Sequence, residues 1–136
     1  MVRAYNCQVD PEALAKRTTA EVFMDHLNLR YKGEIECDYK RNYSKDVILV
    51  ENFGIFHGHE GLKKSFNILN KLVPTTKYHM DSLFFSGDKA FEAWSVNADG
   101  VRVADGIDAF IIRDGKIKVQ TIYYDSNSKF FKELEK

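Results

Sequence analysis

Residues 105–117, DGIDAFIIRDGKI, hold the side chain with the clearest chemical potential in the chain. Read as a strand, Gly106, Asp108, Phe110 and Ile112 share one face, and Ile107, Ala109 and Ile111 share the other. Both faces are apolar except at Asp108. Burial would disfavour the charged carboxylate and raise its pKa, and a neutral carboxyl can donate a hydrogen bond to an oxygen that is gaining charge. The other reading is an ionised Asp108, held by backbone donors or by a cation such as Arg102 or Lys118.

Other groups could join it. Glu92 and Trp94 share a face of the preceding strand; turned inward, Trp94 is a flat wall for a ring or plain core, and Glu92 is a second acid that raises the pKa of Asp108. Glu51 alternates with Val47 and Leu49 and ends its strand, so it is either a general base at a pocket mouth or a carboxylate in water. His26 lies between Phe23 and Leu27 on an apolar helical stripe, where it either shuttles a proton or is a satisfied core histidine. His79, in KYHMD, is a further candidate for the pocket. His57 and His59 with Glu60 have the H-x-H spacing of a metal clip, but no third ligand converges, so no metal is expected. There is no strand-to-helix GxGxxG pattern and no G-x-S-x-G elbow, so neither a phosphate cradle nor a serine nucleophile is expected, and no cofactor is implied.

The elements that would position these groups follow from caps, periodicity and turns. Asp10 and Pro11 open a helix running to about residue 31, with Gly33 as its stop. A short helix over about 34–42 would bury Ile35 and Tyr39, and residues 47–51 form a first strand. NFGIFHGHEG reads as loop, and Leu62, Phe66, Leu69, Leu72 and Val73 mark a third helix stopped at Pro74. Strands over about 76–85, 89–98, 101–113 and 116–124 are joined by Gly87-Asp88, Asp99-Gly100 and Asp114-Gly115. Helices first and an antiparallel meander after them give an α+β fold, whose long twisted sheet curls around the helices into a cone with an open mouth. Ile107, Ala109 and Ile111, with Ile117, Val119 and Thr121 on the next strand, would form an outer apolar surface that a sheet-to-sheet homodimer could cover.

The bulk numbers agree with one domain. The chain has 136 residues, 44% hydrophobic and 29% charged, as in an ordinary globular domain. Twenty Lys plus Arg balance twenty Asp plus Glu, so no net charge draws the chain to nucleic acid or an anionic membrane. The longest aliphatic run, residues 47–50, cannot cross a bilayer, and the first ten residues carry no secretion signal. Cys7 and Cys37 form no CxxC pattern, so a reduced cytoplasmic protein is expected.

The order helix, helix, SKDVILVENFG, HGHEGLKKSF, SGDKAFEAW and DGIDAFIIRDGKI…YYD resembles the SnoaL-like proteins of the nuclear transport factor two-like superfamily over roughly residues 12–125. The resemblance implies the cone-shaped α+β barrel and a domain spanning 1–136. It also implies a small-molecule enzyme of isomerase, cyclase, dehydratase or hydrolase type, with a non-catalytic ligand-binding or dimerisation module as the alternative. Ketosteroid isomerase is the most informative comparison. IDAFII and GK match its acid-bearing strand, which puts Asp108 on the oxyanion-stabilising acid. Glu51 falls on the general base, with Asn52 in place of a proline, and Tyr124 falls on a pocket-lining aromatic. Its helix-one tyrosine has no tyrosine counterpart; Phe23 or His26 falls near it, so steroid isomerisation itself is not implied. Together these expectations place Asp108, Glu51 and His26 in catalysis and Trp94, Tyr124, His79 and Glu92 around an apolar cyclic substrate.

Overall fold

The computed structural model describes residues 6–72, 78–98 and 100–125. Asp10 opens helix α1 (Pro11–Ala15) by accepting from the backbone N–H groups of Glu12 and Ala13. The single long helix expected over 11–31 is in fact two. Thr18 starts α2 (Thr19–Tyr31) with a capping box: its hydroxyl accepts from Glu21 N–H at 3.1 Å, and the Glu21 carboxylate accepts from Thr18 N–H at 3.1 Å. Two caps eight residues apart override a continuous apolar stripe, because each reserves the first turn of its own helix. Gly33, at φ 75°, turns the chain into α3 (Ile35–Asn42).

Strand β1 (Tyr43–Glu51) begins four residues earlier than expected. The stretch expected to be loop holds β2 (Gly54–His57) and the start of α4 (Gly58–Leu72). Its glycines disguise it as loop, yet Gly54, at φ 137°, makes the reversal that lays β2 antiparallel on β1. Val73 and Pro74 lie outside the described residues, as does Asp99. The meander follows as β3 (His79–Ser86), β4 (Lys89–Ala98), β5 (Val101–Arg113) and β6 (Lys116–Tyr123). Asp114 and Gly115 both take left-handed φ values, 55° and 70°, as a two-residue hairpin requires.

The sheet order is β2-β1-β6-β5-β4-β3, antiparallel throughout except for the parallel β1–β6 pair. Register shifts in β3–β4, β4–β5 and β5–β6 bend the strands, and the mixed sheet curves without closing. This is the expected cone-like α+β arrangement, with helices inside the curve. Phe23 on α2 meets Phe110 on β5 at 5.0 Å, edge to face, in the middle of the core. One expected outer residue moves: Ile117 is fully buried, because the shift between Ile111 and Ile112 turns the start of β6 inward. Ile107 and Thr121 stay outside and exposed, with Ala109, Ile111 and Val119 half-buried. No described helix is long and apolar enough to cross a membrane.

Cys7 and Cys37 form a disulfide, Cα atoms 5.6 Å apart, which corrects the expectation of free thiols. It pins the segment before α1 to α3. Closing a loop of 30 residues restricts the unfolded chain, so reduction is expected to remove about 3 kcal/mol and on the order of 10 °C of thermal midpoint. Calorimetry with and without dithiothreitol checks this; coincident melts would contradict it.

Candidate active site

A cavity of about 120 Å³ lies between α2, α4 and the inner face of the sheet, walled mainly by apolar and aromatic side chains. At its base the β4–β5 register sets Glu92 directly opposite Asp108, both buried on the inner face. Two carboxyls in that relation cannot both be charged. Asp108 accepts from Trp94 Nε1 at 2.9 Å and from Gln120 Nε2 at 3.1 Å. Gln120 is oriented in turn by the Tyr43 hydroxyl, which donates to its Oε1 at 2.5 Å. Arg102 and Lys118, the cations expected from the sequence, take no part; neutral donors hold Asp108 instead. Glu92 Oε2 has no partner among the described residues.

Burial pushes both pKa values up, and the two groups are separated by their surroundings. Asp108 is raised by burial against the opposing hydrogen bonds of Trp94, Glu92 and Gln120. Glu92 is raised well above the usual range, by burial first and then by the charge of Asp108. Both carboxyls are therefore pushed toward the protonated form, Glu92 the more strongly.

Gly106 explains how Trp94 reaches its partner. It is the cross-strand neighbour of Trp94, and a Cβ there would fall 2.2 Å from the indole ring. The bare backbone lets the ring lie across β5 with Nε1 on Asp108. A Gly106→Ala change is expected to displace the indole and destabilise the fold by about 1–3 kcal/mol, the usual range for forcing atoms into a packed site. Trp94 is the only tryptophan, so its emission spectrum during urea unfolding reads both effects; an unchanged spectrum and midpoint would contradict them.

A second polar cluster borders the cavity from the helices. His26 Nδ1 lies 2.8 and 3.0 Å from the two oxygens of Asp38. Asp38 also accepts from Arg30 Nε at 2.7 Å and Asn42 Nδ2 at 2.8 Å and is wholly buried. Burial acts to raise its pKa, but His26 and Arg30 beside it prevail and hold it below the ordinary carboxylate value. An ionised Asp38 makes His26 Nδ1 the donor of that bond and turns Nε2 to the outer end of the ring. His26 and Arg30 both line the cavity. Of the two helix-one candidates, His26 is on the wall; Phe23 packs behind it against Phe85 and Phe110. Asp38 was not among the expected site residues. Its only sequence signal is an acid inside the polar helix IECDYKRN, which reads as surface.

Three other expected residues are not on the wall. Glu51 is buried, 8% exposed, rather than at a mouth. Its oxygens make no well-formed hydrogen bond among the described residues. Burial raises its pKa, tempered by the nearby Ser65 hydroxyl, and it is Ser65 that borders the cavity. Tyr124 is buried behind Trp94, ring centroids 5.8 Å apart, and also meets Phe53. His79 is a correction: it is exposed on β3 and bonded to Asp81 at 2.8 Å, away from the cavity. His59 Nε2 lies 3.2 Å from the backbone oxygen of Tyr43, and no three ligand-type side chains converge among the described residues.

No protein-family model and no curated protein sequence matches the chain. Solved structures do. A de novo designed protein with a curved β-sheet is 22% identical with a TM-score of 0.68, covering 86% of this chain and 91% of its own. An NTF2-like protein of unknown function from Cytophaga hutchinsonii ATCC 33406 is 17% identical with a TM-score of 0.64, covering 81% and 92%. TerC, co-crystallised with polyporic acid, is 17% identical with a TM-score of 0.64, covering 87% and 98%. At these identities the likeness is one of fold.

Proposed function

We propose that this chain, which has the nuclear transport factor two-like fold, is an enzyme that moves protons on a small, largely apolar cyclic molecule without a cofactor. The observation that carries the reading is the Glu92–Asp108 pair: two buried carboxyls set opposite each other on the wall of an apolar cavity, with no salt bridge to either among the described residues. A structural ion pair would have a cation there. The binding of polyporic acid by TerC supports a small-molecule site in this fold.

In the proposed step His26 Nε2 takes a proton from carbon next to a carbonyl. The C–H electrons form a C=C bond, the carbonyl π electrons move onto oxygen, and that enolate oxygen accepts a hydrogen bond from the protonated carboxyl of the Glu92–Asp108 pair, which keeps its proton. Trp94 and Gln120 keep their hydrogen bonds to Asp108 throughout, and the pair never carries two charges. Return of the proton at another carbon is isomerisation, loss of a β-hydroxyl as water is dehydration, and attack of the enol carbon on a second carbonyl is cyclisation.

The test is α-hydrogen exchange of cyclohexanone, a ring-sized ketone, followed by proton NMR in D₂O. Exchange above the buffer rate that disappears in Asp108→Asn is expected. Exchange at the buffer rate, with Trp94 fluorescence showing the ketone bound, would overturn catalysis and favour the second reading, a non-catalytic binding module. That reading draws on the saturation of Asp108 by donors already in place.

We also assign a homodimer contact to the outer sheet face, supported by exposed Ile107 on β5 and Ile48 and Val50 on β1; light scattering that finds only monomer would remove it. For location, the Cys7–Cys37 bond argues for oxidising surroundings and against the cytoplasmic expectation, since the cytosol keeps such pairs reduced.

A further inference from the structure

We propose that the ligand of this cavity is a single planar ring bearing an acidic oxygen — a carboxylate, phenolate or enolate — seated on the terminal nitrogens of Arg30. This rests on reading the cavity as a ligand site, and it does not depend on any reaction taking place there.

The argument begins with how Arg30 is held. Its guanidinium carbon lies 5.3 Å from the ring centroid of Tyr39 and 5.6 Å from that of Phe66. Its Nε is committed to Asp38 at 2.7 Å. Contacts with two rings and one carboxylate fix the plane of the group, so little freedom is left to lose when a ligand docks. Asp38 is the only carboxylate paired with it among the described residues. Because Asp38 takes Nε, the terminal nitrogens face no carboxylate among the described residues, only the neighbouring Tyr39 hydroxyl, and they form the fork that matches a carboxylate. The side chain is 20% exposed and borders the cavity.

Size and polarity restrict the rest of the ligand. A volume of about 120 Å³ is close to that of the roughly 150 Å³ apolar cavity known to take benzene. One ring therefore fills the interior, and any larger group projects through the mouth. The walls that a ring would meet are Leu49, Leu62, Trp94 and Ile122, all apolar or aromatic. Arg30 on the helical side and the neutral Glu92 carboxyl on the sheet side then sort the ligand's oxygens. An anionic oxygen goes to the permanent cation, and a carbonyl or hydroxyl goes to the neutral acid.

Benzoate and benzamide have the same shape and differ in charge, so they separate this idea from simple apolar binding. Both are titrated at pH 7 against the fluorescence of Trp94, which lines the cavity. Benzoate is expected to bind at least about tenfold more tightly than benzamide, the worth of a charge-assisted bidentate contact. In Arg30→Gln the two should become equal. Arg30→Lys keeps Asp38 compensated and serves if the Gln variant does not fold; it should retain a weakened preference, since an ammonium cannot present the fork. Equal affinity of the two ligands in the parent protein would overturn the proposal, as would absence of binding by both up to about 10 mM. A positive benzoate result with no ketone exchange would leave this ligand class standing while removing the catalytic reading.

Discussion

Glu92→Gln is expected to make the protein more stable and to abolish its proposed activity. The native pKa of Glu92 lies well above its ordinary value of 4.5, through burial and the charge of Asp108. Between those two pH values the folded chain binds the proton and the unfolded chain has released it. Stability of the parent therefore falls as pH rises through that window. Glutamine does not titrate, and its amide still donates to Asp108, so the variant lacks this decline. The two proteins should match near pH 4 and diverge above it, with the variant ahead by on the order of 1 kcal/mol or more, as when a poorly compensated buried charge is replaced. Urea unfolding at pH 4 and pH 8 reads the effect. Parallel stability profiles would show that the carboxyl pair holds no shared proton. A group that weakens the fold and is kept in a cavity is the kind of trade a working site makes.

How far these groups could be seen in advance depended on the range of the interaction that places them. Asp108, Phe110 and Ile112 were legible because alternation along one strand is local, and the buried face is the one it predicts. Glu92 and Trp94 were legible for the same reason, and the Asp114-Gly115 turn linked β5 to β6 as expected. Local signals also misled. The apolar stripe across residues 11–31 hid a helix break that a hydroxyl at Thr18 makes. Ile117 was put outside because a bulge is invisible to a period of two. The functional assignment of the proton could not be read at all. It depends on Gln120 and Trp94 reaching Asp108 while Glu92 Oε2 has no partner among the described residues, and that is decided by register between strands. Asp38 and the Cys7–Cys37 bond were missed for a related reason: both join segments that look solvent-facing by themselves and become buried only when α3 docks on α2.

Asp38→Asn should be the most damaging single change near the cavity. Asp38 is fully buried and receives His26 Nδ1, Arg30 Nε and Asn42 Nδ2 at 2.7–2.8 Å. An amide at this position has one acceptor where the carboxylate has two, and it removes the charge that compensates Arg30. Taking away one member of a buried pair strands the other, a loss of about 3–5 kcal/mol. The sign with pH is opposite to that of Glu92. The folded pKa of Asp38 lies below its ordinary value of 3.8, so its stabilisation is present above that value and is lost as pH falls through the lower one. The parent should therefore lose stability in that acidic range, and the variant should lack this part of the decline. Activity should fall as well, because the Asn amide can donate to His26 Nδ1 and drive the ring proton onto Nε2, where the proposed base needs its lone pair. His26→Gln separates the two consequences: it removes the base but leaves Asp38 compensated by Arg30, so it should lose exchange activity with a much smaller drop in stability. Urea midpoints and ketone exchange measured on both variants decide the matter, and an Asp38→Asn protein as stable as the parent would mean that Arg30 does not depend on this carboxylate.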